Sequence, residues 1–132
     1  MPGEIQLLQF FICHEFRQEK QDYFTAEMVH SNLYVAKFPH HLRKLYVVTC
    51  WRKDQRFHKE VIEYTTGYGT SVRSPHMDVE PITDSILFRW HKHPFPAHFP
   101  IAKPTLLTVR VILDAQLCFE SCLLVERTPS QR

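Results

Sequence analysis

Apolar and polar residues alternate with a period of two through the C-terminal third of the chain. Ile86, Phe88 and Trp90 share one parity, with Ser85, Arg89 and His91 on the other. Successive strand side chains point to opposite faces, so this pattern predicts a strand with the aromatic side inward. Leu107, Val109, Val111 and Leu113 repeat it, and after the polar break Asp114-Ala115-Gln116 the residues Leu117, Phe119, Leu123 and Val125 line one face of a last strand. The end of the chain therefore reads as a hairpin. The expected core includes Phe88, Trp90, Val109, Val111, Phe119 and Leu123.

Upstream, residues 5–13 read as a first strand, 15–22 as a charged connection, and 23–35 as either a second strand or a helix. Residues 44–52 (KLYVVTCWR) are apolar on both faces, as in a central strand covered on two sides. A polar break at 53–56 and a strand at 57–65 complete an expected hairpin. Residues 67–84 read as a long irregular region. Residues 93–103 read as a packed connection, because Pro94, Pro96 and Pro100 cannot donate to a strand ladder. The prediction is an all-β chain forming a single antiparallel β-sandwich. At most one or two short helices are expected, placed within residues 15–35. One domain spans residues 1–127, and 128–132 form a disordered tail. Only three glycines are present to serve the turns, so proline-shaped or longer turns must substitute.

The order of these segments resembles a group of uncharacterised bacterial domains with an immunoglobulin-like or C2-like sandwich. The resemblance rests on Phe11-Ile12-Cys13-His14-Glu15 closing the first strand, on Phe38-Pro39 ahead of Leu42 and Leu45, and on the closing hairpin around Asp114. It spans most of the chain, with two departures: Ala115 stands where the group has a glycine, and residues 75–81 form an insertion. It implies a sandwich fold and no activity, since that group has none assigned.

At 132 residues the chain can bury a sizeable core without disulfides or metal to staple it. Sixteen basic and fourteen acidic residues are dispersed, for a net charge of +2. That balance offers neither a basic stripe for nucleic acid nor a polybasic membrane patch. The apolar run at 7–13 lacks a basic flank and a small-residue cleavage site and is followed by His14-Glu15-Phe16-Arg17, so it reads as a strand and not a signal peptide. No run reaches the roughly 18 apolar residues of a membrane helix. The expected location is the cytoplasm, with Cys13, Cys50, Cys118 and Cys122 as free thiols.

Nine histidines supply the one chemical signal. His91 and His93, two apart on a strand, project to one side with Cα atoms roughly 6.6 Å apart, within reach of one metal ion. His98, or alternatively Asp78, would be the third ligand. Against this stand Arg89 on the same face and the reading of all three as surface histidines. His76, Asp78 and Glu80 read as a solvated loop, and His58, Lys59, Glu60 and Glu63 as a solvated strand face. Neither Cys13 beside His14 nor any glycine motif supports nucleophilic or nucleotide chemistry. Tyr68, Phe95 and Phe99, set in irregular segments, are candidate partner anchors. The preferred reading is a noncatalytic binding or accessory module that contacts a protein partner or its own copy, with no cofactor, nucleic acid or membrane. The alternative is a small, cupin-like or sandwich metal enzyme using His91, His93 and His98 with a divalent transition metal.

Overall fold

The computed structural model describes residues 4–20, 23–83 and 85–129. Its strands are β1 (Gln6–Lys20), β2 (Tyr23–Val29), β3 (Asn32–Val35), β4 (His40–His41), β5 (Tyr46–Arg52), β6 (His58–Thr65), β7 (Ser71–Arg73), β8 (Met77–Val79), β9 (Phe88–Pro94), β10 (Pro100–Ile101), β11 (Thr105–Leu113) and β12 (Gln116–Arg127). One sheet has the order β2-β1-β5-β9, and the other the order β3-β12-β11-β6-β7, with β8 also paired to β6. The short strands β4 and β10 pair separately. This is an all-β sandwich. Its pairings are antiparallel except for β3, which runs parallel to β12. No helix occurs among the described residues, and so none there is long and apolar enough to cross a membrane.

The helix alternative for residues 23–35 gives way to β2 and β3, and the charged stretch after Glu15 continues β1 as far as Lys20. Arg17 holds that ribbon through Glu15 on its own strand and Glu27 across the ladder. Of the expected tail, Thr128 donates its backbone N–H to the Val35 carbonyl, and residues 130–132 lie outside the described residues.

The core fills the space between the sheets with Val47 and Trp51 of β5, Ile62 and Tyr64 of β6, Leu107, Val109, Val111 and Leu113 of β11, and Leu123 and Val125 of β12. Val109, Val111 and Leu123 are core residues as expected. Phe88, Trp90 and Phe119 are not, and each departs for its own reason. On β9 the inward parity belongs to His91 and His93, which are buried, while Phe88 is half exposed on the other face. Trp90 finds cover on that outer face. The β1–β2 ribbon brings Phe16 and Phe24 against it, with ring centroids at 5.5 and 4.9 Å, over buried Cys13 and Val48. Alternation alone offers two faces, and the aromatic one is the outer one here. Phe119 points inward opposite Val111 but sits at the rim against Phe10, 40% exposed. Beyond it a bulge at Cys118 shifts the register, so Leu117 leaves the face that Leu123 and Val125 occupy and lies exposed.

The stretch at 53–56 does not close a hairpin either. It carries the chain from β5 in one sheet to β6 in the other, and Asp54 shapes the crossing. Its carboxylate accepts N–H bonds from Ile5 (3.2 Å) and Arg56 (2.9 Å). On the outside of the second sheet, Arg73, Glu63, Arg110 and Glu120 form a row of alternating charge across four strands, with contacts of 2.9, 3.2 and 2.6 Å.

The β11–β12 turn has only two residues, Asp114 and Ala115, with φ of 51° and 66°. Two positive φ values define the hairpin turn whose twist matches its strands. Asp114 tolerates this conformation, and its carboxylate accepts the Lys59 N–H at 3.0 Å. Ala115 carries a Cβ that the left-handed region penalises by roughly 1–2 kcal/mol. Ala115→Gly should therefore raise stability by about 1 kcal/mol in a denaturant titration; a drop would show that the strain is absent. Val111→Asp places an unpaired charge in the core, at a cost of several kcal/mol against a total of about 5–15. It should abolish the cooperative thermal transition, and a variant that melts like the parent would contradict the assigned face.

Candidate functional site

The polar centre of the sandwich grows from the parity of β6. His58, Glu60, Ile62 and Tyr64 all face inward, whereas Lys59, Val61, Glu63 and Thr65 face outward. Glu60 is thus fully buried, facing β5 and β9 of the opposite sheet. Opposite it, Thr49 and Trp51 of β5 and His91 and His93 of β9 share an inward face, paired Thr49 to His91 and Val47 to His93.

Four side chains from that sheet converge on the one carboxylate. Oε1 lies 2.6 Å from His91 Nδ1 and 2.7 Å from His93 Nε2 and accepts the Thr49 hydroxyl at 3.0 Å, while Oε2 accepts the Trp51 indole N–H at 2.7 Å. Burial alone drives the Glu60 carboxyl upward, but donation and positive charge from His91 and His93 outweigh it and hold the group at about 2. The carboxylate is ionised.

His91 adds a constraint of its own. Its Nε2 faces the Asp78 carbonyl at 3.0 Å, and a carbonyl only accepts, so Nε2 carries a proton. A bare Nδ1 lone pair at 2.6 Å from a carboxylate oxygen would be repulsive. A positive centre, a proton or a metal ion, therefore lies between His91 and Glu60. Two further buried atoms on this inward side have no hydrogen-bond partner among the described residues: His93 Nδ1 and the Tyr64 hydroxyl, whose pKa burial and the Glu60 charge push upward.

A third buried histidine sits at the head of β6. Both nitrogens of His58 face carboxylates, Nε2 toward Asp54 at 2.9 Å and Nδ1 toward Asp114. Burial lowers the His58 pKa, yet Asp114 and then Asp54 raise it further, so the net shift is upward. Because a carboxylate only accepts, these two contacts need a proton on each ring nitrogen, and the ring so held clamps the sheet crossing to the closing turn.

The structure brings together His91 and His93 from the expected metal set, with Glu60 as the third member; one ligand atom from each lies within 4.8 Å of the others. His98 is exposed and not of this group, and Asp78 offers its backbone carbonyl, its carboxylate lying near exposed His76 at 3.6 Å. The segment 77–79 forms β8 where a loop was expected. Arg89 keeps the parity of His91, but its guanidinium reaches toward Glu80 at 3.8 Å. The surface reading of His91 and His93 is corrected by their burial, and so is the solvated-face reading of His58 and Glu60. A signal for both lay in the sequence: His58 and Glu60 share the parity of Ile62 and Tyr64. The partner anchors fare differently from one another. Phe95 packs on Tyr64 at 4.8 Å and Phe99 is buried, so both belong to the core and present no surface to a partner. Tyr68 is half-buried, its hydroxyl accepting the Ala102 N–H at 2.8 Å with Lys103 over its ring.

No protein-family model matches the chain, and neither a curated protein nor a solved structure is found similar to it. The resemblance read from the sequence rests on its motifs alone.

Chemically, the cluster can hold a proton or a divalent cation, and it joins the sheets. With Glu60 and His93 fully buried and His91 7% exposed, it does not open to a substrate. Glu60→Ala should cost about 3–5 kcal/mol, because it strands a buried cation and two donors. Chemical denaturation checks this; a loss below about 1 kcal/mol would mean that the donors find water instead.

Proposed function

We propose that the protein is a noncatalytic β-sandwich module that binds an extended polypeptide, a second copy of itself first, at the open edge of β9. The observation that carries this reading is the run Ile86-Leu87-Phe88, exposed by 55, 37 and 51% where the chain enters a strand that, among the described residues, is paired on one side only, by β5. An unpaired edge offers free N–H and C=O groups to an added strand, and neighbouring apolar side chains lend it affinity. The sealed ionisable cluster favours this reading over the metal enzyme, because a catalytic metal needs an open coordination position. Free cysteines agree with a cytoplasmic location. The even scatter of charge agrees with a protein partner in place of nucleic acid.

Light scattering at micromolar concentration should report a dimer, and Phe88→Glu a monomer with an unchanged far-UV circular dichroism spectrum. A parent that remains monomeric removes self-pairing, and a dimer indifferent to Phe88→Glu removes the β9 edge.

A further inference from the structure

We infer that Glu60, His91 and His93 form a structural zinc site that ties the two sheets together, independent of the edge-binding role proposed above. Three observations converge. The donors are two imidazole nitrogens and one carboxylate oxygen, a set that zinc accepts, supplied by β6 of one sheet and β9 of the other. Two of the three, His91 and Glu60, have the outer contact that orients a metal ligand. His91 Nε2–H on the Asp78 carbonyl leaves Nδ1 as the coordinating atom, and Trp51 holds the Glu60 carboxylate by its far oxygen, Oε2, while Thr49 donates to Oε1 itself. Finally, the His91–Glu60 contact requires a positive centre between its atoms, and a zinc ion meets that need for His91 and His93 together.

The spacing is close to what the ion asks for. Zinc bonds of about 2.0–2.1 Å set two tetrahedral ligands about 3.3 Å apart. The 2.6 and 2.7 Å contacts must therefore widen by some 0.6 Å, within the reach of small side-chain rotations. Tyr64, with its buried hydroxyl unpartnered among the described residues, lies on the same inward face of β6 as Glu60. Closed on all sides, such a site serves stability and not turnover.

The test uses the full chain purified without a metal-affinity tag. Elemental analysis should find about one zinc per chain. Stripping with a chelator should lower the melting temperature by roughly 5 °C or more, and one equivalent of zinc should restore it. Cobalt(II) added to the stripped parent should give the intense visible bands of a tetrahedral site, a readout that needs no variant. Where Glu60→Gln and His93→Ala fold, they should lose the metal, while the surface pair His40→Ala/His41→Ala should keep it. A parent that neither retains zinc nor shifts its melting temperature with it, or metal binding that survives Glu60→Gln or His93→Ala, overturns the site and leaves protons as the positive centre. Neither result bears on the oligomeric state.

Discussion

A single carboxylate in the middle of the sandwich constrains everything packed around it. An ionised Glu60 removed from water costs several kcal/mol unless its lone pairs are met, and the facing sheet meets them with an indole, a hydroxyl and two imidazoles. These donors must arrive together. The register of β5 against β9, the inward parity of His91 and His93, and the depth of Trp51 follow from that requirement. Slipping β9 by one residue would put Trp90 and Lys92 opposite Glu60 and expose both histidines. Apolar packing alone would tolerate several registers. The polar centre tolerates one.

The same logic recurs at the end of β6. Protonated His58 between Asp54 and Asp114 links the point where the chain changes sheets to the tight turn that closes the last hairpin. Asp54 also receives the Ile5 N–H ahead of β1, and so three parts of the chain distant in sequence are joined through Asp54 and His58. In a chain with three glycines, such contacts hold turns that backbone freedom would otherwise secure. Asp114 illustrates the exchange: its left-handed backbone is tolerated, and its side chain binds both His58 and Lys59.

Ionisable chemistry thus lies inside, and exposed apolar surface lies at the margins. Ile86, Leu87 and Phe88 border β9, while Leu117 and Phe119 lie beside the part of β12 that β3 leaves uncovered. This division separates what stabilises the sandwich from what it offers to a neighbour. The outer face of the second sheet carries the Arg73-Glu63-Arg110-Glu120 row, whose charges match within the chain. Exposed ion pairs of this kind contribute little to stability, each about 0–1 kcal/mol, but they keep that face polar.

By itself the sequence determined the fold class, the central β5, the closing hairpin and the buried side of β11, because a period of two over seven or more residues is a local property that survives any tertiary arrangement. It also singled out His91 and His93. Which face of β9 turns inward, that residues 53–56 cross between sheets, and that Glu60 belongs to the histidines were decided only by tertiary structure. Alternation names two faces without ranking them, and hydrophobicity ranked those of β9 the wrong way, since Trp90 is covered from outside by Phe16 and Phe24. A buried Glu60 is legible only once its donors are known, and they lie 9 to 33 residues away in sequence, on another sheet.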